Sequence, residues 1–325
     1  MSAENRFWGA LMNRTSRPAV DPAIASGGAA TRDGQPISYS RAPAPDLAPW
    51  IARLYVSVVD APADYQLSCG IFSDAAMLRI QLRGDWTAET ADGPRAMGRA
   101  ALYFGPQTVR MPISVGGSFT SVGLSFRAGA CHALGGLKLD AMCDRLARLE
   151  TLGMCDVEWM SLFRDGGSPE EWCTAMEDAM RRLIARSGAV EPDPVTACVE
   201  AAAFTNPEIS VARLAQQCGI EQRRLERLVR RDFGMPPKQV LRRARALDMA
   251  SHLRGVADHD EAEALALRYY DQSHLIREFT ALFGMSPRQF VDSPQPLMTL
   301  SLETRQARRL EMIARIAPGA IKPWQ

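Results

Sequence analysis

Five arginines crowd one short run of this chain: Arg223, Arg224, Arg227, Arg230 and Arg231. Some fifty residues further on, Gln272, Ser273, His274 and Arg277 gather in a second run. The chemistry these side chains offer is recognition. A guanidinium holds phosphate oxygens and reads a guanine edge through two hydrogen bonds, and a glutamine amide reads adenine in the same way. The charge is local. Between Glu221 and Arg245 nine basic residues stand against three acidic ones, a net +6 in a chain of +1 overall. A run of charge is usually a solvated helix face. The elements around this one favour phosphate contact instead.

Those elements are two helix pairs. In SVARLAQQCGIEQRRLERLVRR, Ser210 can cap a helix on which Val211, Leu214 and Ala215 are apolar at helical spacing. Gly219 supplies a residue able to turn the chain left-handed. Ile220 turns inward as a second helix opens. Leu225, Leu228 and Val229 form its buried face, and the arginines and Glu226 fall outside it. A short helix, a glycine turn and a helix with a polar outer side make a helix-turn-helix. Phe233-Gly234-Met235-Pro236-Pro237 ends it, and a long helix is expected from Lys238 to about Arg254. Phe283-Gly284-Met285-Ser286-Pro287 then repeats the stop, so Tyr269 to Phe283 reads as the recognition half of a second pair.

From about residue 196 to 291 the sequence resembles the AraC/XylS family of bacterial transcription regulators. The resemblance rests on DQSHLIREF with FGMSPRQF, and on RRARALDMASHLRG as the linking helix. It implies two recognition helices in successive major grooves on one face of double-stranded DNA. By matching positions, the base readers are Arg223, Glu226 and Arg227 in the first unit and Gln272, Ser273 and Arg277 in the second. Arg224 and His274 fall at backbone-contacting positions, and Arg230 adds to the basic face. One segment departs from the family pattern. In DHDEAEALALRYY, Asp260 and Glu263 stand where apolar residues are expected, and Arg268 where a turn glycine belongs. Either that helix shifts register, turning Leu265 and Leu267 inward, or the second unit docks loosely. The first unit is expected to supply most of the DNA affinity.

The front of the chain has a different texture. Leu54–Val59, Met77–Leu82, Ala101–Phe104, Thr108–Ile113 and Phe119–Arg127 read as short strands between Gly-Pro and Asp-Gly turns. In the last of them Val122, Leu124 and Phe126 alternate with Ser121, Gly123 and Ser125, the period of a half-buried strand. LAPWIARLYV and the stretch from Leu102 to Leu137 resemble the cupin-like sensor domains joined to some members of the family, which implies a small-molecule effector and a homodimer. Arg79, Trp86, Tyr103 and Arg110 are the candidate ligand contacts. An equal reading makes Trp86 and Tyr103 core and the arginines surface. Helices follow: a stripe of Leu139, Cys143, Leu146 and Leu149, then Ser168-Pro169-Glu170-Glu171 opening one that carries Trp172, Met176, Met180 and Leu183. That last stripe suits core packing better than a dimer face.

Composition excludes other classes. No apolar run reaches the roughly 18 residues of a membrane span, and no secretory signal opens the chain. The seven cysteines are odd in number and form no C-x-x-C pair. A reduced, cytoplasmic setting without zinc or disulfides follows. His132 is the sole histidine before the linker, so no cluster there holds a metal and no catalytic triad is available. Cys131 beside His132 suggests a structural pair before a redox switch.

The expected protein is α+β and no enzyme, with no cofactor. Residues 1–35 form a flexible leader, and residues 36–190 a β-rich, cupin-like barrel for sensing or oligomerisation. Residues 195–292 form an all-α tandem helix-turn-helix domain, and residues 293–325 a tail with a basic helix expected to pack more than to touch DNA. The partners are double-stranded DNA, a small-molecule effector, a second copy of the chain and RNA polymerase, with no membrane. The alternative is a protein-interaction module whose degenerate second unit binds another regulator or RNA polymerase.

Overall fold

The computed structural model describes residues 19–26, 38–135, 138–152, 154–164, 166–257 and 272–316. Of the leader expected to be flexible they include residues 19–26, where Ala25 and Ser26 pair with Asp60 and Val59 in the sheet; the departing segment with Asp260, Glu263, Leu265, Leu267 and Arg268 lies outside them. A nine-stranded antiparallel sheet comes first, and all the long helices follow it. Its strands run β1 (Ala25–Ser26), β2 (Tyr39–Arg41), β3 (Ile51–Asp60), β4 (Gln66–Ile71), β5 (Met77–Thr90), β6 (Gly93–Met97), β7 (Ala100–Phe104), β8 (Met111–Phe126) and β9 (Leu146–Arg148). The main order is β1-β3-β8-β5-β7-β9; β2 joins β3, β4 joins β8 and β6 joins β5. The sheet does not close on itself.

Two expectations fail here for physical reasons. The strands expected at Thr108–Ile113 and Phe119–Arg127 are one 16-residue strand, because Gly117 takes φ 59° and lets β8 bend at Gly116-Gly117 without ending, so that it pairs with β3, β4 and β5. The helix expected from Leu139 stops at Met142. Asp144 has φ 56°, and its carboxylate accepts from the Thr108 amide at 2.7 Å and from the Thr108 hydroxyl. That reversal turns Leu146–Arg148 into an edge strand on β7.

Both faces of the sheet are covered, so the alternation in β8 does not separate core from solvent. Leu54, Val56, Leu78, Ile80, Val122 and Leu124 pack with Met176 and Met180 of the helix Pro169–Ser187. Ser168 and Glu171 form the expected capping box on that helix, whose stripe is core. The opposite face carries Tyr55 and Ser57, Arg79 and Gln81, Ser121 and Ser125, all buried. Register shifts around Gly84, at φ 103°, reverse the phase of β5, so Trp86 returns to this same face and meets Phe119 edge-on at 4.9 Å.

Against that serine-bearing face packs a second core. It joins Phe72, Met77, Trp86 and Phe119 to Leu247, Phe279, Phe283, Phe290, Leu297 and Leu300. The last two belong to a terminal helix, Pro296–Ile316. This is the sequence's basic tail helix, and its Arg305, Arg308 and Arg309 face inward. Arg308 pairs with Asp74 at 2.6 Å and Glu200 at 2.7 Å, and Arg305 with Asp248 at 2.6 Å. Arg53 of β3 pairs with Glu311. The helix is therefore a wedge between the sheet and the helical units.

Candidate nucleic-acid interface

The first helix pair stands on its own core. Ser210 Oγ accepts from the Arg213 amide at 3.3 Å and caps Val211–Gln217. Gly219 turns at φ 68°, and the recognition helix Gln222–Phe233 follows. Leu214, Ala215, Leu225, Val229 and Phe233 pack with Val199 and Ala202 of the helix Pro194–Thr205 and with Val240 and Leu241. At about 1.5–3 kcal/mol for each large apolar side chain buried, this set fixes how the helix presents its outer face.

That outer face is free where recognition needs it. Arg223, Arg224, Arg227, Arg230 and Arg231 are all exposed. Among the described residues Arg223, Arg227 and Arg230 have no ion-pair partner. Arg224 approaches Asp193 at 3.9 Å, and Arg231 holds Asp232 at 2.6 Å. Glu226 is half-buried and accepts from Gln222 Nε2 at 2.8 Å, which positions it on the helix surface. A cleft of about 700 Å³ lies alongside, walled by His132, Lys138, Asp140 and four of these arginines.

The basic run does not act as one face, however. Arg243 is 1% exposed and donates to Gln107 O at 2.8 Å and Asp74 O at 2.9 Å. Arg242 and Arg245 of the linking helix, Pro237–Leu253, reach Glu278 at 3.3 and 3.1 Å. Arg243 ties the linking helix to the sheet domain, and Arg242 and Arg245 tie it to the helix of the second unit. The cationic surface is carried by the recognition helix and by Lys238, which is exposed.

The second unit is held differently. Its helix Gln272–Phe283 stops at Gly284, φ 71°, whose amide donates to Thr280 O at 2.9 Å. Ser286 and Gln289 then form a capping box with Pro287 at the first turn. Phe279 stacks on Phe283 at 4.1 Å, and Phe283 meets Phe72 of the sheet domain edge-on at 5.2 Å. The Arg110 amide donates to Leu282 O at 2.8 Å. Arg277 is exposed. Gln272, Ser273 and His274 lie in the helical backbone, and their side chains fall outside the described residues.

The four candidate ligand contacts do not form one site. Arg79 lines a cavity between the serine-bearing face and the terminal helix. Trp86 lies behind it, with the guanidinium 4.2 Å above its ring. Tyr103 is on the other face, where its hydroxyl donates to Cys131 Sγ at 3.4 Å. Arg110 sits at the seam with the second unit, 3.5 Å from Gln295 Oε1. Burial pushes the Cys131 thiol up to about 12, which removes the redox reading of the Cys131-His132 pair. Among the described residues no group of His, Cys, Asp or Glu could hold a metal, and no helix is long and apolar enough to cross a membrane.

Sequence reasoning missed the seam. Asp74, Glu200 and Asp248 carried no motif, and the arginines of residues 305–309 resembled any basic surface helix. A signal existed in Leu302 and Met312: they bury on the same helix as Arg305 and Arg308, so its basic side was not its solvent side.

A family model described as a helix-turn-helix domain matches residues 214–293. No curated protein matches the chain. Among solved structures, apo ToxT from Vibrio cholerae aligns at 10% identity and a TM-score of 0.44 over 73% of this chain and 96% of that one. ToxT from the same organism, bound to an unsaturated fatty acid, aligns at 10% identity and 0.43 over 73% and 94%. The AraC-like transcriptional activator CuxR aligns at 16% identity and 0.30 over 76% and 92%. Likenesses this distant carry no argument about the site.

Proposed function

We propose that the chain is a DNA-binding transcription regulator of the AraC/XylS family, in line with the helix-turn-helix model over residues 214–293, and that its two recognition helices, Gln222–Phe233 and Gln272–Phe283, dock in successive major grooves of a specific operator. Arg223, Glu226 and Arg227 read bases in the first groove. Arg224 and Arg230 anchor phosphates. Gln272, Ser273 and Arg277 read the second groove, with His274 on the backbone. The first helix supplies most of the affinity. The observation that carries this reading is the exposed row Arg223, Arg227 and Arg230, without ion-pair partners among the described residues, on a helix fixed by its own core. Paired arginines would have to break a contact before meeting phosphate; these three do not. The sheet domain serves as the sensor, and a small-molecule effector bound there shifts how the helical units sit through the terminal helix. The protein acts as a homodimer.

Fluorescence anisotropy with DNA from the protein's own promoter region, across a salt series, tests the reading. Sequence-specific binding should weaken steeply as salt rises, because phosphate contacts release counterions. Arg227→Ala should weaken it further and flatten the salt slope. Weak binding that ignores sequence, with no response to Arg227→Ala, would leave the interaction-module alternative standing.

A further inference from the structure

The buried arginines at the seam are matched by acceptors, with one exception. Arg305 and Arg308 meet Asp74, Asp248 and Glu200, and Arg243 meets two carbonyls. Arg79 is only 6% exposed, and among the described residues it has neither a carboxylate nor any hydrogen-bond acceptor; its Nε is fully enclosed and unsatisfied. Trp86 supports the guanidinium from one side at 4.2 Å but leaves its hydrogen-bonding edge unused. Two residues along the same face, both polar atoms of the Gln81 amide are unsatisfied, and so is Ser121 Oγ opposite it on β8. A buried, unmatched cation beside unmatched neutral groups is unfavourable unless something supplies the missing acceptor.

The space for it is present. The cavity bordered by Arg79, Ser121, Ser125 and the terminal helix has about 50 Å³ open to water centres, room for about four water-sized groups. Its walls limit the occupant. One unmatched guanidinium balances one negative charge, which favours a carboxylate over a phosphate dianion, and a planar carboxylate fits the two-pronged edge of arginine. Phe72, Phe119, Leu297 and Leu300 give the rest of the molecule an apolar wall, beside the hydroxyls of Ser57, Ser301 and Thr304 and the mutually paired Asp74, Arg305 and Arg308.

We propose that this cavity binds a short-chain monocarboxylate, with its carboxylate on Arg79 and its hydrocarbon end against Leu297 and Leu300. The proposal rests on the reading of the sheet domain as a sensor and gives that sensor its ligand class. It also places the ligand where it has a lever. Leu297, Leu300, Ser301 and Thr304 are the far wall, and one turn on the same helix Arg308 grips Glu200 of the helix packed under the first recognition helix. A ligand that shifts this wall shifts the base of the DNA-reading unit.

Isothermal titration calorimetry of the full chain with sodium butyrate tests the site, with butyramide as neutral isostere and sodium chloride at equal ionic strength as control. Saturable heat with butyrate alone is expected. Arg79→Met should weaken binding by about tenfold or more, and Arg79→Lys, which keeps the charge, should retain part of it. Arg79→Met should also melt no lower than wild type without ligand, since it removes an unmatched buried charge. No butyrate heat, equal binding of butyramide, or butyrate binding undiminished in Arg79→Met each overturns the proposal. Anisotropy on the same preparations separates the two readings. Intact DNA binding without butyrate binding rejects the ligand class alone, and absent specific DNA binding rejects the regulator reading.

Discussion

Gly234 and Gly284 end equivalent helices and both sit at positive φ, 75° and 71°, yet their surroundings are opposite. A Cβ on Gly234 would lie 2.8 Å from Cys143 Sγ and from Leu139 O of the sheet domain, whereas Gly284 has nothing within 4 Å. The cores reverse the pattern. The first unit touches the sheet domain at its helix end but keeps a core of its own. The second has an open helix end and, among the described residues, no separate core, because Phe279, Phe283 and Phe290 belong to the apolar cluster that also contains Phe72 and Trp86. One motif, used twice, packs once as a self-standing head and once as an extension of the sheet domain. The second helix is therefore tied to the sheet domain by direct packing, and the first unit by the ion pairs of the terminal helix.

The sharpest break in that comparison comes from the shared core. Phe283→Ala should destabilise by about 3–5 kcal/mol, the range for removing a fully buried phenyl ring, and hydrogen exchange should speed up in β4, β5 and the terminal helix together. Val229→Ala, in the separate core, should loosen the first unit while leaving those strands protected. If both substitutions speed exchange across the whole chain, the two units share one cooperative fold and the distinction is lost.

Asp74 probes the seam electrostatically. Burial works to raise its carboxyl, but the Arg308 and Arg305 guanidiniums beside it outweigh that and hold it at about 2. Its contribution is therefore present above the ordinary carboxylate value of 3.8 and is lost as pH falls toward 2. Asp74→Ala should cost about 2–3 kcal/mol at pH 7, since both arginines keep a second carboxylate and neither is left wholly unmatched. Chemical denaturation at pH 7 and pH 3 checks this. The wild-type advantage should shrink at the lower pH.

The first unit was legible in the sequence, whereas the docking of the second on the sheet domain was not, and the illegible part has a common cause. The first unit was readable because a local pattern decides it: Ser210 caps, Gly219 turns, and the leucines and arginines separate by helical period. The fourteen-residue β5 and the single long β8 were harder, since Gly84 switches face and Gly116 and Gly117 do not break the strand. The serine-bearing face was least readable. Ser121, Gly123 and Ser125 carry the solvent-facing half of an alternation, and only the terminal helix, some 180 residues further along, turns them into a buried wall. Arg243 shows the same limit from the other side. It was counted with the basic run, but its acceptors lie on the loops at Asp74 and Gln107, and no local rule joins those to it.

DNA affinity separates the two heads directly. Arg227→Ala should weaken specific binding by about 10- to 100-fold, the loss of one bidentate base contact or its equivalent at about 1–3 kcal/mol. Arg277→Ala should cost less, because the second helix is positioned by its docking on the sheet domain before DNA arrives. Anisotropy with a matched and a scrambled operator measures both. A larger loss at Arg277 would mean that the docked unit is the principal reader, and would invert the assignment of roles.

The smallest effect comes from Glu303, on the terminal helix. Burial pushes its carboxyl up to about 7 from an ordinary 4.5. Between those values the folded chain keeps a proton that the unfolded chain has lost, so this group's contribution is fully present below pH 4.5, falls as pH rises to about 7, and is flat beyond. Glu303→Gln removes the titration. Variant and wild type should melt alike at pH 4.5, and above pH 7 the variant should be more stable by about 1 kcal/mol, a conservative reading of a shift of this size. Should the two proteins melt alike at pH 8 as well, the ionised carboxylate must find a partner at the seam, and the terminal helix would be held by one more polar contact than the apolar cluster around Leu297 and Leu302 implies.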